Sequence, residues 1–553
     1  MLWTTRSGER TTRSGGPDRT TIGAGAIVAV LVAAAAGSCA VIAGHAGSRP
    51  LRPVTRAHGT RMTVLTGSPA IVAARAAHAL FVKAPLVVLA NAGRRASITA
   101  AAAEARKEHA PLLLVPPASR GGIAAGRGAR ARAAGTGTTA LDVAANVAAG
   151  HRGTGAISAT VMLRGEIRAL AARQALAVGV PTSLLSSQLP GVRVITDPQQ
   201  AAGIRAPLPL RHVVVLVRRR DTSAGTQAAV ATARAAGARP VVLSGDDPRT
   251  DPSAIKALSA AAPKRVLAIG AGFPPARELA SRVAVAATGV QLPGGGQVLF
   301  PMHRLLALYG YPGAPALGAL GAQGLSASIA RIRRIAAAYQ PLSRVPVVPT
   351  FEIIATVAQA SPGPQDSYSY ESSPAALWPW VRRATATGMY VVLDLQPGRD
   401  SLLAQARKYS SLLRQPNVGL ALDPEWKLQP GEMPLRQIGS VTSAEINSVI
   451  SWLANLTARY RLPQKLVVLH QFRLSMITDE PALDTRHDDL AVVIHMDGQG
   501  TPSEKLQTWS AVTRTAPAGV FFGWKNFYTK DHPTFSPLRT MANTPQPVMI
   551  SYQ

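Results

Sequence analysis

Cysteine is nearly absent: Cys39 is the only one in 553 residues. Without a second cysteine no intramolecular disulfide can form, even in an oxidising compartment. Its position far upstream also excludes thiol catalysis in the second half of the chain. Aromatics make up 5% of residues against 47% hydrophobic overall, so the cores are built from Ala, Val and Leu. Acids are scarce as well, with 29 Asp plus Glu facing 59 Lys plus Arg, a formal charge of +30. Two readings of that charge stand: attraction to an anionic surface such as headgroups or acidic wall polymer, or a bias that enriches Ala, Gly, Pro and Arg together. No basic patch interleaved with aromatics and no nucleic-acid motif is present, so no nucleic-acid partner is expected. There is no GxSxG elbow, which argues against a serine hydrolase of that type. The absence of HExxH and of close His-x-His spacing argues against a metal centre, and no cofactor is expected.

One stretch nearly lacks charge. Residues 21–47 hold no acidic or basic side chain except His45, their centre is the apolar run 26–36, and Arg6, Arg10, Arg13 and Arg19 precede them. This is the pattern of an export signal with a positive n-region. Cys39 follows the apolar run in Ala36-Gly37-Ser38-Cys39. That tetrapeptide resembles a bacterial lipobox, which implies lipidation of Cys39 and a protein held at the outer face of the cell membrane. An uncleaved anchor is the alternative, because the run is long enough to span a bilayer. Residues 1–47 are thus signal or anchor, and 48–60 a polar linker.

At this length two or three folded units are expected. From 61 to 295, apolar strands alternate with Ala-rich helical stretches, which implies parallel sheets. The expected helices lie near 69–82, 96–108, 224–236 and 252–261. Residues 85–115 and 240–269 share strand, turn, helix and strand at nearly equal spacing, an internal repeat of two Rossmann-like modules. Pro85-Leu86-Val87-Val88-Leu89 with Pro111-Leu112-Leu113-Leu114, and Pro240-Val241-Val242-Leu243 with Val266-Leu267-Ala268-Ile269, are similar to the cell wall-binding repeat 2 family. The resemblance implies attachment to wall polymer. Gly121 to Thr139 reads as a flexible Gly/Ala/Arg loop.

From 296 to 553 eight apolar runs end in polar or aromatic residues: 305–309, 345–352, 390–396, 418–425, 466–471, 491–497, 520–524 and 548–552. Intervening helices predict a (β/α)8 barrel of the TIM type, with an open doubly wound sheet as the alternative. No helix follows the last run, so closure must use the first strand directly or an upstream helix.

Function in such barrels collects at the C-terminal strand ends. Those ends offer Tyr309, Glu352, Asp394, Gln396, Asp423, Glu425, His470, Gln471, His495, Asp497, Trp524, Lys525 and Tyr552. Asp423 and Glu425 stand two apart, which strand periodicity places on one face, with Trp426 beside them. Paired carboxylates at the exit of a buried strand suit glycosidic-bond chemistry, in which one acid stays protonated while the other supports positive charge. Asp423-Pro424-Glu425 at strand four is similar to the motif of (β/α)8 glycoside hydrolases, the chitinase-like family 18 enzymes and the family 25 muramidases. That resemblance implies Glu425 as general acid and Asp423 as its helper, whereas the family 18 motif has a further acid where this chain has Ala421. It also implies Trp426 and Trp524 as sugar-stacking faces and Tyr552 or Gln396 as hydrogen-bond partners. The other strand-end residues are expected to bind substrate. Convergence of His470, His495, Asp394, Asp423 and Asp497 on a metal is the weaker reading. The expected partner is peptidoglycan or a related wall polysaccharide, either hydrolysed or, by an inactive barrel, only bound; a structural envelope adaptor is the third class.

Overall fold

The computed structural model describes residues 51–116, 159–201 and 203–553. The segment expected to be an export signal or anchor, Cys39, and residues 121–139, expected to form a loop, lie outside these residues. Among the described residues no helix is long and apolar enough to cross a membrane.

Two four-stranded sheets, parallel throughout, form the first part. One runs Met62–Leu65, Arg265–Ile269, Val213–Arg218, Arg239–Leu243, and the other Leu112–Val115, Leu86–Asn91, Gln174–Val178, Arg193–Ile195. The pairing of 85–115 with 240–269 does not carry over into topology. The first segment's strands are neighbours, whereas Arg239–Leu243 and Arg265–Ile269 are separated by Val213–Arg218. The unit that matches strand, helix and neighbouring strand is 213–243. Local spacing alone could not show which strand would insert between the other two.

Helices Pro69–Leu80 and Ala224–Ala235 contribute to a buried cluster that draws residues from both sheets, among them Val87, Leu113, Val215 and Leu267. Ala76, Ala77, Ala229 and Ala233 are fully buried in it. Small side chains let helix and sheet approach at interior packing density, which is how a chain poor in aromatics fills this core. Thr232 Oγ1 accepts from the Leu112 amide at 3.0 Å, tying a helix of one sheet to a strand of the other. The described part of the expected linker is also engaged. Val54–Thr55 pairs with Phe81–Lys83, and Leu51 bridges Ile204.

The second part is a closed barrel of eight parallel strands: β1 Arg304–Gly310, β2 Val347–Ala358, β3 Tyr390–Leu395, β4 Val418–Leu422, β5 Lys465–Gln471, β6 Leu490–Met496, β7 Phe521–Asn526 and β8 Met549–Tyr552. It is a TIM-type barrel. The last strand pairs directly with the first, Leu305 with Met549 through Leu308 with Tyr552, which excludes the open sheet. Helices intervene between the strands, including Leu325–Tyr339, Ser443–Tyr460 and Pro502–Thr515, the last opened by a Thr501/Glu504 capping box. Leu292, Leu299 and Phe300 join Leu305, Val348, Tyr390, Leu466 and Met549 in the barrel's inner cluster, so the preceding segment helps to fill its N-terminal end. Arg249 binds Asp247 at 2.7 Å and Asp488 at 2.8 Å, joining the α/β region to the barrel.

Candidate active site

Strand alternation decides which of the candidate residues face inward. In β5, Leu466 and Val468 belong to the inner cluster, so His470 continues inward and Gln471 turns out, where its amide donates to Glu480 Oε2 at 2.6 Å. In β7 the inward positions are Gly523 and Lys525. A Cβ on Gly523 would stand 2.5 Å from the His495 ring, so this glycine makes room for that imidazole. In β8 Met549 and Ser551 point in, and Ser551 Oγ lies 3.2 Å from His495 Nε2.

Two expected sugar contacts are therefore displaced. Trp524 is fully buried on the outer face, packed on Trp509 and Phe535, with its indole N–H given to Asn526 at 2.9 Å. Tyr552 also points outward, its hydroxyl 2.7 Å from that of Tyr339. Neither reaches the barrel interior, and Gln471 fails with them for the same reason of parity. Trp524→Ala is accordingly expected to cost about 3–5 kcal/mol in urea unfolding while sparing ligand binding by the folded variant. Binding lost without a stability change would contradict this placement.

The inward groups form two layers. The deeper one is Glu352, Asp394, His470 and His495, all fully buried. Glu352 was expected at a strand end, but β2 continues to Ala358, which leaves this residue in mid-strand. His470 Nε2 lies 3.1 Å from Glu352 Oε1 and 3.9 Å from Asp394 Oδ1, and its Nδ1 lies 3.4 Å from Asp497 Oδ2. Burial alone would push the His470 imidazole down, yet its contacts with Asp497 and Glu352 outweigh that and hold it well above the ordinary value. His495 goes the other way: burial, then the charges of His470 and Lys525, push it well below its ordinary value, so it stays neutral. These four residues do not line the cavity and sit beneath it.

The upper layer borders an open cavity of about 560 Å³ at the C-terminal mouth of the barrel. Tyr309, Gln396, Glu425, Trp426, Asp497 and Lys525 line it. Tyr309 donates to Asp394 Oδ2 at 2.9 Å, and the Gln396 amide donates to the Tyr309 oxygen at 3.2 Å, which fixes the phenol between them. Strand β4 ends at Leu422 rather than running to Glu425, and Pro424–Trp426 is a single 3-10 turn. Pro424 cannot donate to the ladder, so the strand stops there. That turn brings Glu425 to the cavity and leaves Asp423 buried at 2% exposure, with Oδ1 lacking any hydrogen bond.

One oxygen each of Asp423, Glu425 and Asp497 lie within 4.8 Å of one another. Such an all-oxygen trio is the donor set of a hard divalent cation, and protonation is the other way to relieve its repulsion. Burial, then the Asp497 charge, pushes the Glu425 carboxyl up to about 7. Burial, then the Glu425 and Asp394 charges, raises Asp423 well above the carboxylate range, and Asp394 is pushed up to about 6 by burial first. Asp497 moves down: burial would raise it, but His470 and Lys525 outweigh that and keep it ionised. The site therefore holds a protonated and an ionised carboxyl side by side at neutral pH.

The rim comes from loops that strand reading did not reach: Leu435, Ile438, Phe472, Arg473 and Lys530. Phe472 and Arg473 follow β5 at once, the only one of these loop pairs with a signal in the pattern of strand ends. The chain matches no family model, no curated protein and no solved structure.

Proposed function

We propose that the barrel hydrolyses a cell-wall glycan with Glu425 as general acid. The observation that carries this reading is Glu425 itself: it borders the cavity, and its carboxyl is pushed up to about 7, so it holds a proton to give a leaving oxygen near neutrality. Asp423, buried behind the turn and itself held protonated, packs beside Glu425 and does not meet the cavity. Asp497 is the second carboxylate at the cavity, ionised and placed to stabilise an oxocarbenium ion or to attack it. Trp426 offers the stacking face that Trp524 does not.

The two parallel sheets, read as a wall-binding region, would hold the protein on its polymer. Cys39, once lipidated, would tether it to the outer face of the membrane, or residues 21–47 would do so as an anchor.

The test is release of reducing ends from purified peptidoglycan and other wall polysaccharides across pH. Glu425 must be protonated, so kcat/KM is expected below about pH 7 and to fall as pH rises through that value. Asp497 must be ionised, so activity is also expected to fall as pH drops through its depressed value. Wall binding with no release at any pH would mean an inactive, glycan-binding barrel, and neither binding nor release would leave the adaptor class.

A further inference from the structure

The wall-glycan reading gives one cavity residue, Lys525, no contact with substrate, although its charge helps to keep Asp497 ionised. Lys525 is 3% exposed, so its ammonium is almost wholly removed from bulk water, yet it borders the open cavity. Its Nζ sits 3.6 Å from the centre of the Tyr309 ring, and Phe527 lies at 5.4 Å. Among the described residues no carboxylate forms an ion pair with it and no acceptor takes its hydrogens; its backbone carbonyl, not its side chain, meets Lys505. The buried carboxylates nearby feel its charge from a distance, but their close cation is His470, which meets Glu352, Asp497 and Asp394 at 3.1, 3.4 and 3.9 Å.

An ammonium is costly to bury unless something pairs with it. A ring face supplies part of that compensation. It leaves the ammonium's donors facing the cavity, where a neutral sugar would offer only hydroxyls. The same cavity carries two further cations at its rim, Arg473 and Lys530, both exposed. Against these three stand Glu425 and Asp497, the first of which is a neutral acid over part of the working pH range. Cations at the rim raise the local concentration of an approaching anion, and a buried cation at the floor binds it.

We propose that the cavity takes a glycan bearing a carboxylate, that Lys525 is the residue that binds this carboxylate, and that Arg473 and Lys530 steer it in. The inference rests on the glycan reading of the site and narrows its substrate class to acidic sugars. The carboxylate has two sources in wall polymers, a lactyl ether on an amino sugar or the C6 of a uronic acid, and both present the same planar anion.

The test uses full-length protein carrying Glu425→Gln, so that ligands bind without turnover. Its ligands are a disaccharide with a free lactyl carboxylate and a uronate-containing tetrasaccharide, each paired with its carboxyl-reduced alcohol. Calorimetric titration is expected to show at least one acidic ligand binding about tenfold or more tighter than its alcohol, and the identity of that ligand separates the two sources. Adding Lys525→Met should remove the preference by lowering affinity for the acid far more than for the alcohol, and Lys525→Arg should keep most of it. A thermal melt of each variant checks that the barrel is intact. Equal affinity for acid and alcohol would overturn the inference, as would a Lys525→Met loss shared equally by both, which is the mark of a structural lysine. If wild type releases reducing ends from neutral glycans alone, the hydrolase reading stands and only this inference falls. If no glycan is bound or cleaved, both fall together.

Discussion

Glu425→Gln is expected to lower kcat/KM for wall-glycan hydrolysis by about 10²–10⁴-fold, the usual worth of a positioned acid, with glycan binding retained. The amide keeps the shape of the side chain but cannot give a proton to the leaving oxygen. Stability should change little or improve slightly, since the change removes one member of a carboxyl trio packed within 4.8 Å. The alkaline limb of the pH profile near 7 should vanish from whatever rate remains, because its titrating group is gone. A variant that keeps wild-type rates would remove Glu425 from the chemistry, and one that loses binding along with turnover would make it a substrate anchor instead. Asp423→Asn makes the useful contrast, because this residue does not line the cavity. Its carboxyl is already held protonated well above the ordinary range, so the limb set by Glu425 is expected to stay near 7 and the rate to fall far less than in Glu425→Gln.

A loss of stability as large as that of Trp524→Ala is expected at His470, for an electrostatic reason. Its imidazolium is the shared counter-charge of Glu352, Asp394 and Asp497, and every one of these groups is buried. Removing one partner of a buried ionic set strands the others, so His470→Ala is expected to cost about 3–5 kcal/mol in urea unfolding. Adding Glu352→Gln to His470→Ala should recover part of that cost by neutralising the stranded carboxylate closest to the lost ring.

The pH dependence has two signs. His470 is held above its ordinary 6.5, so its stabilisation is complete below 6.5 and is lost as pH rises through the raised folded value. Asp497 is held below its ordinary 3.8, so its stabilisation is complete above 3.8 and is lost as pH falls through the depressed value. The gap between wild type and His470→Ala should thus be widest between these limits and narrow on both sides. A gap that keeps widening at alkaline pH would show that the imidazole is neutral in the fold.

Much of this site was legible along the chain. All eight barrel strands fall where apolar runs end in polar residues, because a strand buried on both faces has to be a continuous apolar run. Glu425, Asp497, Tyr309 and Gln396 were found by that rule and do meet at one cavity. The failures have a single physical origin. A strand end presents two adjacent residues to opposite sides, so Trp524 and Lys525 carry the same positional signal and opposite fates. Counting back to inner residues such as Leu466 and Val468 would have separated His470 from Gln471. The same count does not work for β2, whose run gives no sign of continuing to Ala358 past Glu352.

The chain by itself determined the alternation of strand and helix, the alanine-built core and the acidic end of β4, since these follow from period, composition and the break at Pro424. Only the tertiary structure decided which carboxyls meet. Closure of β8 on β1 brings Tyr309 of the first strand, His470 of the fifth and Lys525 of the seventh around one axis, from positions far apart in sequence. It also decided their charges. A carboxyl's proton depends on burial and on neighbours a few ångströms away, so Glu425 and Asp497, alike on the page, become a protonated acid and its ionised partner only once the barrel has closed.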